Sequence, residues 1–186
     1  MSAALFDLSG RTALVTGSTR GIGLAIARAL GSAGARVAIN GRGMDRVRVR
    51  VDELAREGVE AVGAPFDVTG EAAVAEAVER LGTVDVLVNN AGMTQRKPLE
   101  EFSLQEWERM FEVNVTSAFL VSRAVVPGMI ARGRGKIVNV CSVQSLLARQ
   151  TNAPYAATKG ALKMLTQGMC ADWARHGIQA NAIAPG

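Results

Sequence analysis

Short runs of apolar residues alternate with stretches of helical spacing along the whole chain. The apolar runs predict six strands, at residues 12–16, 37–40, 61–66, 84–88, 136–140 and 178–183. The stretches between them predict helices at residues 21–30, 44–57, 70–81, 104–131 and 155–175. The strands are apolar at successive positions, which is typical of a parallel sheet covered on both faces. This strand–helix order, with right-handed crossovers, predicts an α/β fold, a doubly wound parallel sheet with helices on both faces.

Capping residues indicate where two of these helices begin. Thr69 precedes the helix at residues 70–81 and is expected to cap it. Ser103 is followed three residues later by Glu106, which is the pattern of a capping box. Pro127 lies inside the long fourth helix and is expected to bend it or to mark an irregular turn. Since no linker, repeat or low-complexity tract interrupts residues 1–186, the sequence predicts a single domain.

The composition is that of an ordinary globular chain. Of its 186 residues, 48% are hydrophobic and 20% are charged, and no unbroken apolar run reaches the roughly 18 residues that span a membrane. A net charge of +4, with few aromatic residues and no long basic tract, argues against nucleic-acid binding. Cys141 and Cys170 fit neither a metal-ligand spacing nor a disulfide framework. We therefore expect a cytoplasmic protein that binds no membrane, nucleic acid or metal.

A glycine-rich turn joins the first predicted strand to the first predicted helix. It reads Thr16-Gly17-Ser18-Thr19-Arg20-Gly21-Ile22-Gly23. Its three glycines allow a tight turn and a close approach of the backbone to a pyrophosphate. The helix that follows would present unpaired N–H groups and the positive end of its dipole to that anion. The sequence therefore predicts that residues 17–23 bind a dinucleotide cofactor.

The end of the second strand indicates which dinucleotide is bound. A carboxylate at this point would hold the free ribose hydroxyls of NAD, but the sequence reads Asn40-Gly41-Arg42. Arg42 and Arg20 could instead bind a 2′-phosphate, because guanidinium groups pair well with phosphate. We therefore expect NADP(H) to be favoured over NAD(H). The arginines that follow are interpreted as an exposed helix face: Arg46, Arg48 and Arg50.

Tyr155 and Lys159 lie four residues apart and should share one face of the last long helix. A lysine ammonium stabilises an adjacent phenolate, so this tyrosine could exchange a proton with a substrate oxygen near neutral pH. Ser142 lies thirteen residues before the tyrosine and could hold that same oxygen. Together the three side chains predict proton transfer at an alcohol or a carbonyl group.

Several short motifs follow one another along the chain. They are the glycine turn, Asp67-Val68, Asn89-Asn90-Ala91-Gly92, Asn114, Ser142, Tyr155-x-x-x-Lys159 and Pro185-Gly186. In this order and spacing the chain resembles the short-chain dehydrogenase/reductase family, in its common Rossmann-type form, from about residue 8 to its end. The resemblance implies an NAD(P)-dependent oxidoreductase that interconverts a secondary alcohol and a ketone by hydride transfer. It also implies a homo-oligomer, a tetramer or a dimer, in which the helices that begin near Leu104 and Tyr155 pair between subunits.

The resemblance also assigns roles to single residues. Tyr155 would be the general acid or base, Lys159 would stabilise the tyrosinate and hold the nicotinamide ribose, and Ser142 would polarise the substrate oxygen. Asn114 would anchor a water that links Lys159 to solvent as a proton relay. Further cofactor contacts are expected from Asp67, Val68, Asn89, Ala91, Gly92, Pro185 and Gly186.

Within the family, the chain is most similar to the NADP-linked gluconate 5-dehydrogenases. The similarity lies in residues 140–145 with Arg149, and in residues 153–160, 172–177, 40–42 and 95–96. This similarity implies that the substrate pair is D-gluconate and 5-keto-D-gluconate. A sugar acid needs a cation for its carboxylate, and Arg96, Gln144 and Arg149 lie in segments expected to surround the nicotinamide. We therefore expect these three residues to bind the substrate, with one or both arginines on its carboxylate. The two arginines could equally be surface residues that pair with acidic neighbours.

Two other functions are compatible with the same motifs. A 3-oxoacyl-carrier-protein reductase would share every catalytic motif and could dock its acidic partner on Arg132, Arg134 and Lys136. A non-catalytic NADP-binding sensor is the third interpretation, and the intact Ser142, Tyr155 and Lys159 set argues against it.

The last two residues, Pro185-Gly186, bear on the completeness of the fold. Relatives continue from this pair into a cofactor-closing loop, substrate-covering helices and a final edge strand. We therefore expect that the C-terminal part of the fold is missing from these 186 residues. A molecule that ended here would have an unpaired sheet edge and an open cleft, and its activity would be weak or absent.

Overall fold

Six parallel strands form one sheet, in the order β3-β2-β1-β4-β5-β6. The structure is a computed structural model that describes residues 6–186. The strands are β1 (Thr12–Val15), β2 (Arg36–Gly41), β3 (Ala61–Pro65), β4 (Val86–Asn89), β5 (Gly135–Val140) and β6 (Ile178–Ile183). All six predicted strands are confirmed. The strand order reverses between β1 and β4, which is where doubly wound sheets open a crevice for a ligand.

Helices cover both faces of this sheet and confirm the predicted Rossmann-type fold. They are α1 (Gly21–Ser32), α2 (Met44–Arg56), α3 (Glu71–Leu81), α4 (Leu104–Phe111), α5 (Ser117–Arg132) and α6 (Ala153–Trp173). A π-helical turn, Glu112–Thr116, joins α4 to α5. Short 3₁₀ turns occur at Leu99–Glu101, Val143–Ser145 and Ala174–His176.

Alternate residues of each strand point to opposite faces of the sheet, and they build two separate cores. In β1, Ala13 and Val15 pack with residues of α1 and α2. Leu14, between them, packs with residues of α3, α5 and α6. Because both faces are covered, residues 13–15 of β1 and all four residues of β4 are buried, which explains why these strands are continuously apolar.

The structure confirms one predicted helix cap and contradicts the other. Ser103 Oγ accepts from the Glu106 N–H at 3.2 Å, and the Glu106 carboxylate accepts from the Ser103 N–H at 2.8 Å, which completes the capping box. The prediction for Thr69 is wrong, since Gly70 occupies the cap position of α3. The Thr69 hydroxyl donates instead to Asp67 Oδ1 at 2.8 Å, because this carboxylate forms a local turn that competes for the hydroxyl.

The long fourth helix is irregular at a different place from the predicted one. Pro127 lies inside α5, which continues to Arg132, and the irregular stretch is the π turn at Glu112–Thr116. Such turns are frequent at functional sites, and this one contains Asn114. By length and composition Leu104–Arg132 could cross a membrane, with a mean hydropathy of 1.4, but 50% of its apolar window is buried inside the fold.

Four buried polar side chains connect β4 and β5 to α5 and α6. Asn89 Nδ2 donates to Ser122 Oγ at 2.9 Å and to Asn139 Oδ1 at 2.8 Å. Asn139 Nδ2 donates in turn to Thr166 Oγ1 at 2.8 Å. Hydrogen bonds in a buried, low-dielectric network are strong and geometrically specific. This network therefore fixes α6 against the carboxyl ends of the two strands.

We predict that Asn139→Ala lowers the free energy of unfolding by about 2–4 kcal/mol, because it removes the buried hydrogen bonds to Asn89 and Thr166 and leaves a cavity. Asn181→Ala is the matched control, since Asn181 is exposed on β6 opposite Val138 and should change stability by less than about 0.5 kcal/mol. Urea denaturation followed by circular dichroism gives both values. Equal effects of the two substitutions would contradict the role given to the network.

Candidate active site

One continuous cleft runs along the carboxyl ends of the central strands. It consists of a turn cavity of about 890 Å³, lined by the glycine turn, and a tyrosine cavity of about 750 Å³, lined by Ser142 and Tyr155. The residues common to both cavities are Ile22, Asn90, Gly92 and Met93. The cleft therefore joins the predicted cofactor turn to the predicted proton-transfer residues.

The glycine turn brings backbone unusually close to neighbouring groups. Gly17 has a φ of +63°, which favours glycine. A Cβ at Gly23 would lie 2.4 Å from Asn90 Nδ2 and 2.6 Å from the Gly17 carbonyl oxygen, so no larger residue fits there. Arg20 occupies the cap position of α1 without a side-chain hydrogen bond to the first turn. The N–H groups at this helix end are thus available to an anion.

Asn40 fastens this turn to the sheet. Its Oδ1 accepts from the Gly17 N–H at 3.0 Å, and its Nδ2 donates to the carbonyl oxygens of Ala64 and Phe66. Asn40 is 1% exposed, so its amide is fully used inside the fold. The sequence interpretation of this segment depended only on its lack of a carboxylate, so it did not identify Asn40 as a residue that holds the turn.

Ser18 requires a correction, because it faces the sheet and not the cleft. Its hydroxyl donates to the Val15 carbonyl oxygen at 2.7 Å and accepts from the Asn40 N–H, and its own N–H donates to the Asn40 carbonyl oxygen. The other members of the predicted turn line the turn cavity: Gly17, Thr19, Arg20, Gly21, Ile22 and Gly23.

Four arginines line the turn cavity: Arg20, Arg42, Arg46 and Arg109. The sequence had suggested that Arg46 only forms part of an exposed helix face, but this residue also lines the turn cavity. Arg50 is also corrected, because it is half-buried and its Nε–H donates to the Thr19 carbonyl oxygen at 3.1 Å. Arg109 comes from α4, far away in the sequence, which is why no local pattern could find it.

Asp67 and Val68 also line the turn cavity, at the end of β3. Partial burial raises the pKa of the Asp67 carboxyl, but hydrogen bonds from Thr69 and the positive charges of Arg109 and Arg42 outweigh this effect. The net pKa lies below its usual range, so the group is a carboxylate.

Of the two adjacent asparagines after β4, the second one faces the cleft. Asn90 lines both cavities and donates from Nδ2 to the carbonyl oxygens of Thr16 and Gly17 at 2.9 and 3.2 Å. Asn89, which was expected to contact the cofactor, is turned into the buried network and lines neither cavity. Strand alternation puts these neighbours on opposite sides.

The structure brings Ser142, Tyr155 and Lys159 together around the tyrosine cavity. Ser142 lies two residues after the end of β5, just before the short turn at Val143–Ser145. Its Oγ accepts from the Gln144 N–H at 3.2 Å, which leaves the hydroxyl proton for another acceptor. Tyr155 and Lys159 lie one turn apart on α6, and Lys159 Nζ is 5.6 Å from the centre of the Tyr155 ring.

Lys159 is buried, with 4% of its surface exposed. Its Nζ donates to the Val140 carbonyl oxygen at 2.6 Å. Burial lowers the pKa of Lys159, and the nearby Cys141 opposes this effect. The lysine can therefore lose its proton more easily than an exposed one.

Asn114 lies in the π turn and is 1% exposed. Its Oδ1 accepts from the Met93 N–H at 2.7 Å, and its Nδ2 donates to the Met93 carbonyl oxygen and to Thr158 Oγ1. A Cβ at Gly92 would lie 3.4 Å from Asn114 Oδ1 and 3.8 Å from Lys159 Nζ. The glycine therefore leaves a gap between the asparagine and the lysine.

The three predicted substrate residues, Arg96, Gln144 and Arg149, all line the tyrosine cavity. Neither arginine forms an ion pair within residues 6–186, so acidic neighbours do not account for them in the described chain. Pro185 and Gly186 line the same cavity. Two further polar residues, Thr94 and Asn152, also line it and have no motif that would have marked them beforehand.

The cleft combines an anion-binding turn, an arginine-rich wall and a proton donor beside a buried lysine. This set fits a dinucleotide cofactor and a carbonyl or alcohol substrate. Among residues 6–186, no group of three or more His, Cys, Asp or Glu side chains could hold a metal ion.

Comparison with known proteins gives the same result. A family model described as short chain dehydrogenase matches residues 11–186. The gluconate 5-dehydrogenase of Gluconobacter oxydans (strain 621H) is 53% identical over 186 residues, which cover 98% of this chain and 73% of the relative. The 5-keto-D-gluconate 5-reductase of Escherichia coli (strain K12) is 50% identical over the same shares.

A solved structure agrees along the whole chain. The crystal structure of a gluconate 5-dehydrogenase from Burkholderia cenocepacia J2315, in complex with NADP and tartrate, has a TM-score of 0.97 and 52% sequence identity. The match covers 100% of this chain and 74% of that one. Since motif order, strand order and sequence all agree, the chain belongs to the short-chain dehydrogenase family.

Proposed function

We propose that the protein is an NADP(H)-dependent oxidoreductase that interconverts D-gluconate and 5-keto-D-gluconate. The observation that carries this proposal is the continuous cleft, which joins an arginine-lined turn to Ser142, Tyr155 and Lys159. The names of the two curated relatives and of the solved structure support the same substrate pair. Both members of this substrate pair are small, anionic molecules.

The residues of the turn cavity fit the cofactor. The free N–H groups at the start of α1 suit its pyrophosphate, and Gly23 allows the close approach that this requires. Arg42 and Arg20, with Arg46 beside them, suit a 2′-phosphate, which supports NADP(H) over NAD(H). When bound, the cofactor supplies or accepts the hydride.

Proton transfer is the work of the chain itself. In reduction, the Ser142 hydroxyl donates a hydrogen bond to the substrate carbonyl oxygen, and the Tyr155 hydroxyl gives that oxygen its proton as hydride reaches the carbon. Lys159 stabilises the tyrosinate that results. The gap beside Gly92, between Asn114 and Lys159, would hold the water that returns a proton from solvent. Oxidation reverses these steps, with Tyr155 as the base.

The substrate carboxylate is assigned to Arg96 and Arg149. Both line the tyrosine cavity, and guanidinium groups bind carboxylates through paired hydrogen bonds. Gln144 would hydrogen-bond a sugar hydroxyl or the carboxylate. The solved relative is in complex with tartrate, a dicarboxylate, which supports an anionic ligand for this protein.

The acyl-carrier alternative has less support from the geometry. The basic residues expected to dock the carrier are at the amino end of β5, where Lys136 is the second residue of the strand. Ser142 follows the other end of the same strand, about 20 Å away at 3.3 Å per residue. Arg132 is partly buried and donates to the Val84 carbonyl oxygen, so it presents little of a docking surface.

We also propose a homo-oligomer assembled through α5 and α6. Both helices keep large apolar side chains exposed, with Phe119 at 43% and Met164 at 61%. Exposed apolar residues of this size are typical of interaction surfaces. Light scattering would measure the subunit number.

The direct test of function is NADPH oxidation with 5-keto-D-gluconate, with D-gluconate identified as product. We expect turnover with this keto acid and at least about tenfold lower kcat/KM with an acetoacetyl thioester. A clear preference for the thioester would instead support a role in acyl-chain reduction. Cofactor turnover with neither substrate, despite tight NADPH binding, would support the sensor alternative.

We predict that Arg42→Ala raises the KM for NADPH about 10- to 100-fold and leaves the KM for NADH nearly unchanged, since only NADPH carries the 2′-phosphate. Arg48→Ala is the matched control, because Arg48 is exposed on α2, the helix that follows Arg42, pairs with Asp45 and lies outside the turn cavity. Steady-state kinetics with both cofactors measures the effect. Equal losses with NADH and NADPH would contradict the assignment.

We predict that Lys159→Met lowers kcat at least about 100-fold without lowering the melting temperature, because it removes a catalytic group together with a costly buried charge. Burial lowers the pKa of Lys159 below 10.5, so the unfolded chain binds more protons and wild-type stability rises with pH between the two pKa values. Any stability advantage of the variant should therefore shrink as the pH approaches 10.5.

Lys163→Met is the control for this substitution, since Lys163 lies one turn further along α6 and lines neither cavity. It should keep wild-type kcat. Calorimetry gives the melting temperatures, and a Lys159→Met protein with wild-type kcat would refute the role of the lysine.

A further inference from the structure

A short segment after β4 separates the tyrosine cavity from helix α4. Alternate side chains of this segment point to opposite sides. Thr94 and Arg96 line the tyrosine cavity. Gln95 and Lys97 are half-buried and point the other way, toward Glu106 in the first turn of α4. Arg96 therefore lies between two residues that are both attached to the same carboxylate.

Glu106 holds the outer side of this segment. Its Oε1 accepts from Gln95 Nε2 at 2.6 Å, and its Oε2 accepts from Lys97 Nζ at 2.5 Å. The Lys97 ammonium also lies 4.9 Å from the centre of the Phe102 ring, which favours the same position. The bond to Lys97, followed by bonds from Ser103 and Gln95, lowers the pKa of Glu106 to about 2. The carboxylate thus stays ionised at any neutral or mildly acidic pH.

The inner side of the segment is bonded to the loop that precedes α6. The Lys97 N–H donates to the Thr151 carbonyl oxygen at 3.1 Å, and Thr94 Oγ1 donates to Asn152 Oδ1 at 3.1 Å. Thr151 has a φ of +63°, a strained conformation for a β-branched residue that persists only where neighbouring contacts hold it. Arg149 lies two residues before Thr151, so these bonds connect the two arginine-bearing segments.

We propose that Glu106 is a positioning residue for the substrate carboxylate, because it holds Arg96 at a fixed place relative to Arg149. This inference rests on the proposed function, which gives the two arginines one ligand. Two guanidinium groups on separate loops bind one carboxylate well only if their separation is set in advance. Glu106 sets it from outside the cavity, without touching the substrate.

The capping box could explain Glu106 without any role in substrate binding, so the two roles must be separated. Glu106→Gln keeps the cap, because glutamine also serves at this position, but it loses the charge that binds Lys97. Ser103→Ala removes both bonds of the serine hydroxyl to Glu106, one to its N–H and one to Oε2, and leaves the contacts to Gln95 and Lys97. Glu108→Gln is the matched control, since Glu108 is exposed on the same helix and changes the same charge.

The experiment compares these three variants with the wild type by steady-state kinetics and by hydrogen exchange of the backbone amides in residues 93–97. For Glu106→Gln we expect the KM for 5-keto-D-gluconate to rise about tenfold, with kcat and the KM for NADPH within about twofold of wild type. The Lys97 amide, bonded to Thr151, should exchange faster. Ser103→Ala and Glu108→Gln should change neither quantity.

An unchanged KM in Glu106→Gln would overturn the inference, and so would a Ser103→Ala protein with the same rise in KM. If the wild type does not reduce 5-keto-D-gluconate, the proposed function fails on its own. Hydrogen exchange then decides the remaining question: faster exchange at Lys97 in Glu106→Gln alone supports the positioning role, and unchanged exchange refutes it.

Discussion

Four hydrogen bonds tie the loop after β1 to the loop after β4, at the point where the strand order reverses. Asn90 donates from its backbone and its side chain to Thr16 and Gly17, and the Ala91 N–H donates to Thr16 Oγ1. At such a reversal the two connections leave on opposite faces, so the loops diverge and a crevice opens. The four bonds limit this divergence. Because of them, the glycine turn and the segment before Arg96 border one cleft and not two separate ones.

The polar groups around the cleft fall into two classes. Asn40 and Asn114 are almost completely buried. The Asn40 amide forms hydrogen bonds with the backbone of the glycine turn and of β3 and the residue after it, and the Asn114 amide with the backbone of Met93. Such groups are costly to bury unless they are satisfied, and they stiffen the walls. Arg42 and Arg96, in contrast, are exposed and form no ion pair within residues 6–186, which leaves their charge for a ligand. Rigid walls with unpaired cations suit an anionic cofactor and an anionic substrate.

Much of this arrangement could be predicted from the sequence, because it depends on local patterns. Apolar runs located the strands, and the pair Ser103 and Glu106 located the start of α4. The errors arose where two local options compete or where distant segments meet. The Thr69 hydroxyl bonds to the nearby Asp67 carboxylate and not to the helix end. Asn89 points into the core, because neighbouring residues of a strand face opposite sides and Asn90 is the one that faces the cleft. The link from Glu106 to Lys97 joins residues whose pairing no spacing rule predicts.

The most direct test of this account is a crystal structure of the protein with NADP⁺ and D-gluconate. We expect the 2′-phosphate within hydrogen-bond distance of Arg42, and the C5 oxygen between Ser142 and Tyr155. We also expect the carboxylate between Arg96 and Arg149. A 2′-phosphate that faces solvent, or a carboxylate bound elsewhere in the cleft, would contradict the claim that one preformed cleft binds both the cofactor phosphate and the substrate carboxylate.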